Sequence, residues 1–200
     1  MAAFIPSRRH PEINAQAFAK VREDKGREAS DGFDGAWVAH PDLVQIVGDV
    51  FDAVLGNRPH QKDQRWQDLR IAQEDLLDVR VPGGRVTEAG LRSNLSVALQ
   101  YLAAWLDGAG AVAINNLMED TATAEIARSQ VWQWIRHRAR TEDGVPVTLE
   151  HCRAVLGDEV ARLEQAAGGR WREAAALVDQ LISAREFPEF LTLQAYEKVE

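Results

Sequence analysis

The residues best placed to do chemistry lie between positions 115 and 128, in the run Asn-Asn-Leu-Met-Glu-Asp-Thr-Ala-Thr-Ala-Glu-Ile-Ala-Arg. Glu119 and Asp120 are adjacent carboxylates at the point where an apolar run, residues 111–114, gives way to a strong helix. That helix is predicted from residue 122 to about residue 137. Its first turn leaves backbone N–H groups without partners, and Asp120, Thr121 or Thr123 can each accept from them. A carboxylate held at such a junction is aimed in advance, as a general base must be. The same two carboxylates also suit a helix that only needs negative charge at its positive end. Spacing alone leaves both readings open.

Other constellations carry less. The five histidines, His10, His40, His60, His137 and His151, are scattered and match no zinc spacing. The pairs Gly83-Gly84 and Gly168-Gly169 lack the context of a phosphate loop and read as turns. Trp132 and Trp134 sit on a helix of an acidic chain and read as core or interface. Ser93 and Ser129 have no nucleophile-elbow pattern around them. Cys152, the single cysteine, reads as a small helix residue without chemical role, and excludes an internal disulfide.

The elements that must position the carboxylates follow from pattern. Residues 1–6 form a short apolar strand stopped by Pro6, and residues 36–40 a second, closed by Pro41. Between them a helix is predicted over 11–29, with Ile13, Phe18 and Val21 on one face and Lys20, Arg22 and Lys25 outside. Strand, helix and strand with short turns imply a parallel pair, which needs neighbours on both faces. Without them Phe4, Ile5, Trp37 and Val38 are expected to lie exposed on an open sheet edge. After His40 the pattern is helical. Helices are predicted over 41–56, over 69–78, from a Thr87 cap to Leu106, over 148–165 and over 170–183. Leu91, Leu95, Ala98, Leu99, Leu102 and Leu106 form one apolar stripe, and Ile126, Val131, Trp134 and Ile135 are expected to point inward. Residues 109–114 are readable as strand or buried loop.

Composition bounds the function. In 200 residues, 46% apolar and 27% charged, there is enough chain for a sizeable core. A net charge of −8 argues against nucleic acid, whose phosphates need a basic footprint. No apolar run is long enough for a transmembrane helix, and no membrane partner is expected. A lone cysteine suits a reducing compartment. The end, Lys198-Val199-Glu200, is not a serine-lysine-leucine address, so a cytoplasmic setting is expected.

Several long segments, in order, resemble the A-type malate synthases. LMEDTATAEIARSQVWQWIRH is similar to the region around that family's catalytic aspartate. MAAFIPSRRHPE, DGFDGAWVAHPDL, TEAGLRSNLSVALQYLAAWLDG and FLTLQAYEKV carry the likeness from end to end of the chain. It covers only the C-terminal portion of the family's usual length, less than half. The resemblance implies a mainly α chain: the last β/α elements of a TIM barrel over residues 1–56, then a C-terminal α-helical bundle domain over 57–200. It implies condensation of acetyl-CoA with glyoxylate to malate and CoA, with Asp120 as the catalytic acid/base. Pro6 and Met118 fall at positions that contact acetyl-CoA, while Glu119 is left structural. Thr121 and Ala127 depart from the residues most frequent at those positions. In the family Mg²⁺ is held by an Asp and a Glu of earlier strands, beside an arginine, and none of these has a counterpart here. The expectation is therefore a metal site in the missing barrel portion and an inactive isolated chain. The alternative is a non-catalytic α-helical interaction module or a degenerate gene fragment.

Overall fold

The computed structural model describes residues 1–7 and 10–199; Arg8, Arg9 and Glu200, the last of the C-terminal address positions, lie outside the described residues. The chain is mainly helical. It divides into two compact units, residues 1–82 with 115–118, and residues 83–114 with 119–200. Sequence placed a boundary after Gly56, whereas the segment 57–82 groups with the first unit.

In the first unit α1 (Pro11–Ser30) opens with proline, whose missing N–H is not needed in a first turn. It packs on α2 (Val44–Leu55). The two expected strands do run parallel, with the Ala2 N–H donating to the Trp37 carbonyl at 2.8 Å and the Ala39 N–H to the Ala2 carbonyl at 2.9 Å. Pairing stops at the single bridge Ala2–Val38, so neither segment is a full strand. The expectation of an open apolar edge is corrected at Phe4. Its ring is buried and meets the edge of Phe18 at 6.0 Å. The cause is residues 115–118, which run antiparallel beside residues 3–5 and cover that edge. Trp37 alone stays well exposed, at 71%. Lys25, expected outside, is buried, because Asp24 and Glu28 reach its ammonium at 2.9 and 2.5 Å and neutralise it there. The short helix predicted over 69–78 shrinks to α3 (Gln73–Leu77), and Leu76, Leu77, Val79 and Val81 around it are exposed.

In the second unit the Thr87 hydroxyl accepts from the Gly90 N–H at 2.9 Å and starts α4 (Glu88–Leu106). Every residue of the predicted α4 stripe is buried. Against it pack α5 (Thr121–Arg136), α6 (Leu149–Ala166) and α7 (Trp171–Ser183), followed by a short α8 (Leu191–Ala195). Thr148 caps α6 through the His151 N–H at 3.1 Å. Ile126, expected inward, is 60% exposed; the inward row of α5 is Ala124, Ala127, Arg128 and Val131, one helical step away. Ahead of α5 stands a hairpin, β1 (Ala111–Ile114) and β2 (Leu117–Asp120). Its turn residues Asn115 and Asn116 have φ of 51° and 62°. Two left-handed residues in a two-residue loop match the twist of a hairpin, and asparagine tolerates that conformation.

Candidate functional site

Asp120 ends β2 and is the N-cap of α5, in extended backbone with φ −123° and ψ −174°. Of the three caps the sequence allows, it is Asp120 whose Oδ1 accepts from the Thr123 N–H, at a long 3.3 Å. Among the described residues the other carboxylate oxygen accepts no hydrogen bond. The group is half-buried and held from one side only. That leaves one oxygen free to meet a proton on a substrate, the geometry a general base requires.

Strand alternation sorts the two neighbouring carboxylates. Along β2 successive side chains point to opposite faces, so Glu119 faces away from the side that Met118 and Asp120 share. Glu119 is buried, at 7% exposure, while Asp120 is half-buried.

The N-cap is fastened by a pair that sequence reasoning missed. Tyr101 of α4 is fully buried, and its hydroxyl lies 2.5 Å from Thr121 Oγ1 and 3.2 Å from the Gly110 carbonyl. One assignment satisfies every proton: Thr121 donates to Tyr101, and Tyr101 donates to Gly110. Thr121, the first residue of α5, is thereby kept from competing with Asp120 for the first-turn N–H groups. The only available signal was a tyrosine set among the buried positions of α4, where a phenol needs a partner.

Pro6 and Met118 both belong to the first unit. The Met118 N–H donates to the Ala3 carbonyl at 2.8 Å, and the Ile5 N–H to the Asn116 carbonyl at 2.7 Å. Pro6, without an N–H, ends that pairing. The segment closing at Pro6 thus lies alongside the strand that carries Met118, and Asp120 belongs to the second unit.

Among the described residues no group of three or more His, Cys, Asp or Glu side chains could hold a metal ion. No described helix is long and apolar enough to cross a membrane. Cys152 is buried, and burial pushes its thiol up to about 11.

Residues 85–199 match the model of the malate synthase C-terminal domain, and residues 1–79 that of the malate synthase TIM barrel domain. The chain is 52% identical to a malate synthase of Streptomyces clavuligerus and 49% identical to one of Myxococcus xanthus, each over the whole chain. It is 44% identical, over 98% of its length, to malate synthase A of Escherichia coli. The chain belongs to the malate synthase family. It spans 38% of the length of each of these three relatives.

Proposed function

We propose that this chain is the C-terminal part of a malate synthase and supplies its proton-abstracting base, Asp120. The substrates are acetyl-CoA and glyoxylate. Asp120 takes a proton from the acetyl methyl group, the resulting enolate carbon attacks the glyoxylate aldehyde carbon, and hydrolysis of the thioester releases malate and CoA. The observation that carries this reading is the Asp120 carboxylate itself, capped through one oxygen by a single long bond while the other oxygen has no partner among the described residues.

An acetyl methyl group is a very weak carbon acid, so the base must be oriented and the enolate stabilised as it forms. Orientation is what α5, its cap and the Tyr101–Thr121 pair supply. Pro6 and Met118 would line the acetyl-CoA path; the soft, unbranched Met118 side chain suits a flexible pantetheine arm. Glu119, on the opposite face of β2, serves structure. Residues 1–79, which match the barrel model, are read as the last elements of a barrel and the helical domain carrying Asp120 as the part that follows. The Mg²⁺ ligands and the charge-stabilising arginine belong to the remaining barrel portion, so this chain alone should make no malate. A cytoplasmic setting accompanies the reading.

The test is a fusion in which this chain replaces the matching segment of the Streptomyces clavuligerus relative. The fusion should form malate from acetyl-CoA and glyoxylate, and the chain alone should not. A well-folded fusion without activity would instead favour the non-catalytic interaction module.

A further inference from the structure

Thr121, Glu125, Arg128 and Trp132 recur at helical spacing along α5 and therefore share one face of it. Each reaches outside its own helix. Thr121 meets Tyr101 of α4. The other three hold residues 184–191, where α7 passes into α8. Glu125 Oε1 accepts from the Leu191 N–H at 2.7 Å, filling the cap of α8 for which Phe190 has no side-chain acceptor. Its Oε2 accepts from Arg128 Nε at 2.6 Å. Arg128, fully buried, donates from Nη2 to the Glu189 carbonyl at 3.3 Å and lies 4.0 Å over the Phe187 ring. Trp132 meets that ring edge-on at 5.2 Å and donates from Nε1 to the Ala184 carbonyl at 2.8 Å.

A buried ion pair adds little net stability; what it can add is one specified arrangement of the parts it joins. The core row of α5 shows why that is needed. Ala124, Ala127 and Val131 pack into the core shared with α4 and α7. Side chains so short raise shallow ridges, which fix a helix weakly along and about its axis. The polar row fixes it instead. At its first turn α5 carries Asp120, whose carboxylate is oriented by the Thr123 N–H. A shift of about 1 Å in a reacting group can cost roughly 10²-fold in rate.

We propose that Glu125 and Arg128 are positioning residues for the base: by gripping residues 184–191 they set where α5 stands, and hence where the Asp120 carboxylate points. The proposal rests on the reading of Asp120 as the base. Two variants of the whole chain test it. Arg128→Met removes the guanidinium and leaves Glu125, which is partly exposed, to water. Phe187→Ala takes the ring away from the outer side and strands no buried charge, so it keeps the fold even where Arg128→Met does not. Amide exchange reads positioning without any assumption about activity. In both variants the Thr123 and Ala124 N–H groups, far from residue 187 in the chain, should exchange about 10-fold faster. In the active fusion the same variants should lower kcat by about 10- to 100-fold, with KM for acetyl-CoA changed less than about 2-fold. Deuterium exchange into acetyl-CoA should fall in step with kcat. Faster amide exchange confined to residues 184–195, with Thr123 and Ala124 unchanged, overturns the proposal, and so does an unaltered kcat. Full activity in an Asp120→Asn fusion would overturn the base itself, a different failure from either of these.

Discussion

Removing one oxygen tests how the N-cap of α5 is fastened. Tyr101→Phe keeps the ring in its buried place, so no cavity of consequence forms. What is lost is the hydroxyl bonded to Thr121 Oγ1 and to the Gly110 carbonyl. Thr121 is half-buried and Gly110 is exposed, so both groups can turn to water and what is lost is the net worth of the hydrogen bonds. A typical hydrogen bond contributes about 0.5–1.5 kcal/mol net, so a loss near 1 kcal/mol is expected. For a chain of this size that corresponds to roughly 2–4 °C in Tm. Because the chain has two units, amide hydrogen exchange across residues 88–136 should accompany the melt and show the change confined to α4, the hairpin and the first turn of α5. Thr121→Ser keeps a hydroxyl and should restore most of the protection that Thr121→Val loses. A change below about 0.5 kcal/mol in Tyr101→Phe, within the range of ordinary surface substitutions, would refute the reasoning.

Three further outcomes follow from buried groups. Cys152, with its thiol pushed up to about 11, should resist alkylation at pH 8 in the folded chain, its thiolate fraction being roughly 10⁻³; rapid labelling before unfolding would contradict this. Glu159 is buried, which raises its carboxyl pKa, but hydrogen bonds from Arg162 and Arg92 outweigh that and hold it below the usual range. A depressed folded value gives stability that is present above the unfolded value, about 4.3, and is lost as pH falls through the folded one. Urea unfolding of Glu159→Gln should therefore vary less with pH in that acidic window than wild type, and equal slopes would count against it. Arg128 is buried, paired with Glu125, bonded to the Glu189 carbonyl at 3.3 Å and stacked on Phe187 at 4.0 Å. Arg128→Ala should cost about 3–5 kcal/mol and free residues 184–195, seen as early proteolysis there; a loss below 1 kcal/mol would show the clasp to be idle.

Local signals carried much of this fold into the sequence. The α4 stripe and the Thr87 and Thr148 caps were legible because a hydroxyl just before a periodic apolar run has few other uses. Asp120 was one of three allowed caps, and Thr121 was withdrawn from that choice by Tyr101, a partner twenty positions away that no local pattern reveals. The hairpin was missed because Asn115-Asn116 lacks the glycine of the usual two-residue turn signals, and β1 and β2 are only four residues each, with β2 running straight into α5. Lys25 and Ile126 fell on the wrong side for opposite reasons. Two flanking carboxylates made a buried ammonium tolerable, and the inward row of α5 shifted to small residues and an arginine. Phe4 was hidden by residues more than a hundred positions later, a long-range pairing outside the reach of periodicity.

The central claim is that Asp120, and not its neighbour, takes the proton. Deuterium exchange into the acetyl methyl group of acetyl-CoA reports that step apart from condensation. In the active fusion, Asp120→Asn keeps the shape of the cap but cannot accept a proton, so exchange and malate formation should fall together by roughly 10²–10⁴-fold with acetyl-CoA binding nearly intact. Glu119→Gln, altered on the opposite face of β2, should cost far less. Near-normal exchange in the Asn variant, with exchange lost in the Gln variant, would contradict the account.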